Sequence, residues 1–300
     1  MPLSSSAAAV AALAQTAVGG DGALASVAHG TTALDSRLRV EDLALGAVTF
    51  CATAASRFLG RRLDVAPGRV GASFRSPSHV ALDGVGFAGF DPLSGFFETS
   101  DGWVRTHANY PWHRQRLAQV LGLGDASSRD VVAGAVRERT AQEVESAAAA
   151  AGAIAVKVRT PQEFAAVPGM ATAPLLRYRP GPPSTRDTDR PVRVLDLTRV
   201  IAGPVATKTL AALGLDVLRL DPPQLPEIEM QHLDSAAGKH SAVVDLLLNA
   251  KLVRDLVDQA DVVVTGYRPG SLAALGLGPD ELLERRPDLV VAAVTAWPGA

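Results

Sequence analysis

Between residues 192 and 295 the sequence alternates short, β-rich apolar runs with helical segments. The runs include VRVLDLT, LDVLRLD, SAVVDLLL, DVVVTGY and LVVAAVTA, and their near-continuous apolar character is typical of strands buried on both faces. GPVATKTLAALG and AKLVRDLVDQA lie between them and have helical periodicity. This alternation predicts an α/β fold, a Rossmann-like doubly wound parallel sheet with right-handed crossovers and helices on both faces.

A polar, proline-rich segment at residues 177–191 reads as a linker and divides the chain. Residues 192–300 hold the predicted Rossmann-like domain. Residues 1–176 are predicted to form a helical segment followed by a smaller mixed α+β domain. Helical recurrence of apolar residues predicts helices at 5–17 and at about 41–59.

Local signals add detail to the first part of the chain. Residues 61–95 are rich in Gly, Pro and Ser and are predicted to be an extended loop region. The Asp101-Gly102 pair between two short extended runs predicts a β-hairpin. Thr160 and Pro161 are expected at the N-cap and the first position of a helix.

Composition narrows the class of protein. The 300 residues are 47% hydrophobic and 20% charged, a globular balance, and the formal net charge of −2 gives no reason to expect nucleic acid or an anionic membrane as a partner. The single cysteine, Cys51, excludes an intrachain disulfide and a cysteine zinc site, and it is expected to be a small buried core residue.

The same sequence shows no basic leader, and no apolar run reaches the roughly 20 residues of a membrane span. A cytoplasmic location is therefore expected. His107 and His113 are six residues apart with Pro111 between them, so they do not share a helix face, and a structural or surface role is expected rather than a metal site. No metal site is predicted.

Ligands of doubly wound sheets bind beyond the carboxyl ends of the strands. The turns that matter are therefore Arg199–Pro204, Asp221–Pro223, Gly266–Gly270 and Thr295–Ala300. The first turn has Gly203 and Pro204 but lacks the G-x-G-x-x-G spacing of dinucleotide enzymes. Asp221 matches their ribose-binding acid, which keeps a nucleotide-dependent oxidoreductase as an alternative. A plain helix start, with Pro204 at the first helical position, explains the turn equally well.

Two further stretches carry candidate ligand contacts. Lys239 precedes a strand and offers a mobile charge for a phosphate or carboxylate, although a solvated loop charge is the simpler interpretation. Arg268 offers a planar fork for a phosphate, and Tyr267 offers a face for stacking. Ordinary turn chemistry explains Pro269-Gly270 as well.

Taken together, DLTRVIAGP, GKHSAVVDL and ADVVVTGYRPG resemble the family III CoA-transferases, the CaiB/BaiF group, in order and spacing over nearly all of residues 192–300. Segments of residues 93–123 and 139–170 resemble the smaller domain of that family, which normally follows the Rossmann-like part. The reversed order implies a tandem pseudo-dimer, in which the tail of one family unit is fused ahead of the front of another.

The resemblance implies a site for coenzyme A, which is a substrate rather than a bound cofactor. Three positions depart from the family. Pro222 stands where many members have a phosphate-binding Arg or Lys, Ala274 stands where some have another basic residue, and Lys208 replaces a common Gln. The positions that match the CoA-contacting turns of the family are Arg199, Val200, Ala202, Gly203, Lys239, Tyr267 and Arg268.

The resemblance also implies a mechanism, the transfer of CoA between an acyl-CoA and a small carboxylic acid through a covalent aspartyl intermediate. The aspartate of the family lies shortly beyond the turn that matches Trp297–Gly299, and the sequence printed ends at Ala300. No catalytic residue is therefore assigned within these residues, and further residues or a partner are expected to supply it. An acyl-CoA racemase or isomerase, and a non-catalytic CoA-binding or dimer-completing subunit, stay open as alternatives. An interlocked homodimer or a pseudo-dimer is expected.

Overall fold

The computed structural model describes residues 4–17, 23–87, 89–167, 176–183, 189–268 and 270–295. The first elements are α1 (Ser5–Ala17), α2 (Val40–Leu59), α3 (Pro67–Phe74), β1 (Ala81–Leu82) and β2 (Val85–Gly86). The next are β3 (Phe96–Glu98), β4 (Trp103–Thr106), α4 (Pro111–Val120), α5 (Arg129–Arg137), α6 (Ala141–Ala151), β5 (Ala155–Lys157) and α7 (Pro161–Ala165). The last are β6 (Arg193–Leu197), α8 (Ala202–Ala212), β7 (Asp216–Asp221), α9 (Glu229–Ala236), β8 (His240–Val243), α10 (Ala250–Gln259), β9 (Val262–Thr265), α11 (Pro279–Arg285) and β10 (Val290–Ala293).

The last five strands form one sheet in the order β10-β9-β6-β7-β8, and every neighbouring pair is parallel. Counted from β6 and read from β8, this is the order 3-2-1-4-5 of a Rossmann-type sheet. The predicted fold class is confirmed. The strand order reverses between β6 and β9, so their carboxyl ends frame the crevice in which such sheets bind ligands.

Each face of this sheet has its own apolar packing. On one face Val194, Val217 and Val264 pack with residues of α8 such as Leu210 and Ala211. The opposite face holds a larger cluster, in which apolar residues of β6, β7 and β9 pack against α10 and α11. The members of that cluster that come from strands and these two helices include Leu195, Leu197, Leu220, Val263, Val253, Val257 and Leu282. Strands whose residues are apolar on both sides must be covered on both faces of the sheet, and the helices provide that cover.

Residues 87–172 form a compact unit of their own. Their sheet has the order β3-β4-β5 and is antiparallel, and the predicted hairpin at Asp101-Gly102 joins β3 to β4. The Asp101 carboxylate accepts a 2.7 Å hydrogen bond from the Ala141 N–H at the start of α6. The buried side chains of this unit include Leu93, Phe97, Val104, Leu117, Val132, Val136 and Val144.

Capping explains where the helices of this unit begin. Thr160 caps α7, and its hydroxyl accepts a hydrogen bond from the Glu163 N–H. The Glu163 carboxylate in turn accepts a hydrogen bond from the Thr160 N–H. Pro161 is the first helical residue. The predicted cap is confirmed, and Thr140 and Glu143 form the same reciprocal pair at the start of α6.

Residues 61–95 differ from the predicted loop region, because they include α3 and the small hairpin of β1 and β2. Pro67 is tolerated as the first residue of α3, where its missing N–H costs nothing. Gly71 faces the backbone of Thr32 so closely that a side chain there would overlap it. Glycine in this segment thus serves close helix packing, which composition alone does not distinguish from a loop.

The remaining described residues group into a second compact unit, made of residues 1–86 and 173–300. Within it, the Ser76 hydroxyl donates a 2.7 Å hydrogen bond to the Asp234 carboxylate of α9. The N-terminal helices thus belong with the parallel sheet, so the predicted first domain at 1–176 spans parts of both units. The predicted linker at 177–191 lies only partly within the described residues.

Helix α2 corrects two expectations. Cys51 is exposed on it rather than buried, because it lies outside the helix face that packs inward, although desolvation of the sulfur raises the pKa of the thiol. The helix has 20 residues and a mean hydropathy of 1.2, so by length and composition alone it is apolar enough to cross a membrane. Helices in the cores of soluble proteins have the same properties, and α2 is the one such helix among the described residues.

Candidate functional site

The turn that follows β6 is built around a close approach between strand and helix. Thr198 is the first residue after β6, and its N–H and hydroxyl both donate to one oxygen of the Asp196 carboxylate. Gly203, the second residue of α8, lies directly against the Thr198 side chain, and a Cβ at Gly203 would overlap it. The single glycine of this turn is therefore explained by packing. Helix α8 begins at Ala202, so Pro204 is its third residue rather than the predicted first.

Val200 lies at the centre of this turn with a φ of 69°. A β-branched residue in the left-handed region costs about 1–3 kcal/mol and persists only where its surroundings hold it. Here the Val200 N–H donates a 3.1 Å hydrogen bond to the Glu227 carboxylate, although 27 residues separate the two. The side chains of Val200 and its neighbour Ile201 are exposed, which gives the turn an apolar surface.

The neighbouring cation, Arg199, points into the protein. Its side chain is 9% exposed, and it donates to the Pro226 carbonyl at 3.2 Å. Its Nη2 also lies 4.0 Å from the Glu227 carboxylate, whose own side chain is 3% exposed. The guanidinium that the family resemblance assigned to a CoA-contacting turn is thus held beside an internal carboxylate.

Lys239 also lies elsewhere than the sequence suggests. Its ammonium and the Asp196 carboxylate are fully buried and 3.0 Å apart. The other two acceptors of Nζ are the Pro204 carbonyl, at 2.9 Å, and the Thr207 hydroxyl, at 2.6 Å. Burial lowers the pKa of Lys239, and the charge of Asp196 opposes that shift. A solvated loop charge is therefore wrong for Lys239, and its three protons serve the β6–α8 junction.

A second buried cation joins this network and was not predicted. Arg219, in the middle of β7, is almost completely buried and donates to the carboxylates of Asp221, at 2.8 Å, and Glu227, at 3.1 Å. It also donates to the Ser235 hydroxyl at 3.2 Å. The Asp221 carboxylate, which resembled a ribose-binding acid, is therefore paired with a cation from its own strand.

The turn after β9 brings Tyr267 and Arg268 to the same edge of the sheet. The Tyr267 hydroxyl is buried and has no hydrogen-bond partner among the described residues. Desolvation raises its pKa to about 12, while the nearby charges of Arg199 and Arg219 oppose that shift. Arg268 is exposed. Buried polar groups are nearly always paired, so an unpaired hydroxyl at the switch point marks a place for a ligand atom or a water.

A cleft of about 530 Å³ opens beside these residues, at the carboxyl ends of β7 and β8. Asp221, Glu227, Glu229 and His232 supply its ionisable side chains, and Pro222 lies beside Asp221 in the same lining. Among the described residues that line it there is no lysine or arginine. The remaining lining residues are Pro223, Pro226, Ser241, Ala242 and Val243. The cleft therefore suits a neutral group with hydroxyl donors better than a phosphate.

The structure thus brings Arg199, Val200, Gly203 and Tyr267 together around one turn. Lys239 lies beneath that turn, whereas Arg268, the residue after Tyr267, is exposed. Ala202 is exposed at the start of α8, where its free N–H is available. The sequence analysis missed Asp196, Arg219 and Glu227. The available signal was a charged residue at an inward position of an apolar strand, as in VLDL and VLRLD.

No cluster of metal-ligating side chains occurs within the described parts of the chain. His107 and His113 instead belong to a group of stacked and edge-on rings with Tyr110 and Trp112, with centroids 4.8–6.0 Å apart. Desolvation lowers the pKa of His107. These contacts agree with the structural role expected for both histidines.

The sequence of this chain was compared with known protein families. Residues 190–300 match the model of CoA-transferase family III. This confirms the resemblance over the whole parallel sheet. The matched segment contains all seven predicted contact residues and the buried network beneath them.

Several curated relatives are CoA-transferases by name. The probable fatty acyl-CoA transferase Rv3272 of Mycobacterium tuberculosis is 38% identical over 123 residues, which are 36% of this chain and 31% of that protein. The human succinyl-CoA:glutarate CoA-transferase is 32% identical over 120 residues, 35% of this chain and 27% of that protein. A crystal structure of Rv3272 shares 35% identity, covers 39% of this chain and 33% of that chain, and has a TM-score of 0.33.

An acyl-CoA transferase of Gibberella moniliformis matches a longer stretch, 30% identical over 218 residues, or 63% of this chain and 38% of that protein. This match is longer than residues 190–300, so it also includes residues that precede position 190. The chain spans less than two fifths of the length of each of these three relatives. The predicted turn at Trp297–Gly299 lies outside the described residues.

Proposed function

We propose that this chain is part of a family III CoA-transferase that moves CoA between an acyl-CoA and a small carboxylic acid. The observation that carries the proposal is the match of residues 190–300 to that family, over a sheet of the strand order that binds nucleotides at its switch point. The relatives named as CoA-transferases support the same reaction class.

The nucleotide end of CoA is proposed to lie on the turn from Arg199 to Gly203. The exposed side chains of Val200 and Ile201 offer an apolar surface to a base, and the first N–H groups of α8 are free to meet an acceptor. The Tyr267 hydroxyl, buried and without a partner among the described residues, would donate to a ligand oxygen. Each of these contacts satisfies a group that the free protein leaves unpaired or exposed.

Arg268 is proposed as the cation for the phosphates. Its side chain is exposed, whereas Arg199, Arg219 and Lys239 are already held by internal carboxylates. A planar guanidinium binds phosphate oxygens with two parallel hydrogen bonds. The phosphates would therefore lie at the surface of the site, above the buried network rather than within it.

The transfer itself is proposed to follow the covalent route that the family resemblance implies. An aspartate carboxylate attacks the thioester carbonyl, the C–S bond breaks, and CoA leaves as its thiolate from a mixed anhydride. The thiolate then attacks the aspartyl carbonyl and releases the donor acid, which gives an aspartyl-CoA thioester. The acceptor carboxylate attacks this thioester and displaces CoA thiolate, which gives a second mixed anhydride between the aspartate and the acceptor. The thiolate then attacks the acyl carbon of the acceptor, the new acyl-CoA forms, and the aspartate leaves as a free carboxylate. The aspartate is not assigned to any described residue.

Hydroxylamine tests the covalent route in the full-length protein. After incubation with an acyl-CoA, mass spectrometry should find a hydroxamate on one aspartate, because hydroxylamine captures the activated carboxyl carbon. A control without acyl-CoA should stay unmodified. A protein that transfers CoA while every aspartate stays unmodified would overturn the covalent route but not the transferase assignment.

A non-catalytic CoA-binding or dimer-completing subunit is the second candidate. The observation that favours it is the internal pairing of Arg199 and Lys239, two of the three cations that the resemblance assigns to CoA. The two candidates separate in one assay, since both bind CoA but only the enzyme moves CoA from an acyl-CoA to a carboxylic acid.

A further inference from the structure

The Glu227 carboxylate lies where several hydrogen-bond donors and positive charges converge. One of its oxygens accepts the Val200 N–H at 3.1 Å and Nη2 of Arg219 at 3.1 Å. The other accepts the Ile228 N–H at 3.0 Å and lies 4.0 Å from Nη2 of Arg199. Two guanidinium groups and two backbone N–H groups therefore converge on one carboxylate. The side chain is 3% exposed, so this arrangement is part of the folded structure rather than a surface contact.

These donors are of the kind that recognises phosphate. Guanidinium forks and backbone N–H groups in a turn are what proteins use to bind phosphate oxygens. The turn also faces the edge of the sheet where nucleotide ligands bind. A carboxylate held here has the charge and the acceptor atoms of a bound anion, while it comes from the chain itself.

The charges around Glu227 leave no room for a second anion. Arg199 and Arg219 face two carboxylates, Glu227 and Asp221, and the cations and anions therefore balance. A phosphate placed against the same guanidinium groups would meet both carboxylates at short range, where like charges repel strongly. Glu229 adds negative charge along the adjoining cleft.

We propose that Glu227 is a specificity-determining residue that occupies an anion site at the β6–α8 turn and keeps phosphate out of it. It also fixes the turn, because it holds the N–H of the strained Val200. A phosphate-bearing ligand then contacts the turn through its uncharged parts, and its phosphates lie farther out. Removal of the carboxylate converts the same donors into a phosphate site.

Inorganic phosphate is the probe, so the result is independent of whether the protein binds CoA. Isothermal titration should show phosphate binding to Glu227→Ala at least about tenfold tighter than to the wild type, since the two guanidinium groups lose a competing anion. Phosphate should also raise the thermal midpoint of Glu227→Ala more than that of the wild type, because binding to the native state stabilises it. Chloride at equal ionic strength corrects for screening.

Glu229→Ala is the matched control, because Glu229 lines the same cleft but makes no bond to the turn in the described structure. It should bind phosphate as the wild type does. If Glu227→Ala does not fold, Glu227→Gln replaces it in the test, because the amide keeps the shape of the side chain and removes its charge. The Glu227→Gln protein should bind phosphate more tightly than the Glu229→Gln protein does. Equal phosphate affinity in the Glu227 variants, the Glu229 variants and the wild type would overturn the proposal.

Discussion

At the scale of single residues, Val200 shows most clearly that the turn after β6 is held rather than relaxed. Its φ of 69° is unfavourable for valine, and glycine adopts it without strain. Val200→Gly should raise the free energy of unfolding by about 1 kcal/mol. This net gain is the backbone strain that glycine relieves, minus the entropic cost of the flexibility that glycine adds to the unfolded chain. Urea denaturation measures the change.

The matched control is Val205→Gly, in an exposed position of the neighbouring helix α8. Glycine there should lower the free energy of unfolding by about 0.5 kcal/mol, the difference in helix propensity between valine and glycine, since it weakens a helix without relieving strain. Equal losses in both variants would show that Val200 is not strained.

Tyr267 allows a second test at this scale, because its buried hydroxyl has no partner among the described residues. Tyr267→Phe should raise the free energy of unfolding by about 1 kcal/mol, since it removes a desolvated group that gains no hydrogen bond. The same substitution should weaken CoA binding if the hydroxyl serves the ligand. A variant that is less stable than the wild type would indicate a hydrogen bond in solution.

The raised pKa of Tyr267 makes this effect depend on pH. Burial raises the pKa of the Tyr267 phenol in the folded protein to about 12, whereas the ordinary value of a tyrosine is 10.0. The unfolded chain therefore loses the proton first, and this part of the stability is present below pH 10 and lost as the pH rises toward 12. Urea midpoints should fall between pH 9 and about pH 11 more for the wild type than for Tyr267→Phe.

At the scale of elements, the packing of β6 against α8 depends on Gly203. A methyl group at this position would overlap the Thr198 side chain, whose hydroxyl is fixed by Asp196. Gly203→Ala should therefore lower the free energy of unfolding by about 1–3 kcal/mol, the cost of overpacking. Thermal or urea unfolding measures the loss.

Gly134 is the control for this change, because it lies inside α5 and an added Cβ there meets open space. Gly134→Ala should raise the free energy of unfolding by about 1 kcal/mol, through better helix propensity alone. A stabilising effect at Gly203 as well would show that the turn has room for a side chain.

The elements themselves were largely predictable, because apolar periodicity and turn chemistry are local. The strands around VLDL and VLRLD, the hairpin at Asp101-Gly102 and the cap at Thr160 all follow from neighbouring residues. Helix α3 was not predicted, because a glycine such as Gly71 is typical of a loop. Its close contact with the Thr32 backbone is visible only in the structure. Local signals do not report such a contact.

The location of the candidate site could be predicted from the sequence, but the contacts of its side chains could be predicted only in part. Strand order and the turn at Arg199–Gly203 follow from the alternating pattern. The role of Lys239 depends on Asp196, which is 43 residues away, and the N–H of Val200 is bonded to a carboxylate 27 residues away. Such pairings arise only when the sheet assembles, so a single sequence cannot show which cations are already neutralised.

At the scale of the whole molecule, residues that resemble the small domain of the family precede the Rossmann-like sheet. The match to the Gibberella moniliformis relative covers 63% of this chain, more than residues 190–300 alone, so it extends beyond that segment. The tandem pseudo-dimer, in which the tail of one family unit precedes the front of another, stays a prediction from the sequence. Residues 87–172 have a hydrophobic core of their own, as such a fused unit requires.

The central claim is that the switch point of this sheet binds coenzyme A and that Arg268 holds its phosphates. Isothermal titration of CoA into the chain tests it directly. The wild type should bind CoA, and Arg268→Ala should bind it at least about tenfold more weakly, because a charge-assisted contact with phosphate is lost. Arg254→Ala, which removes an equally exposed arginine from α10, should bind as the wild type does. Absence of binding at millimolar CoA, or equal affinities of the two variants, would contradict the claim.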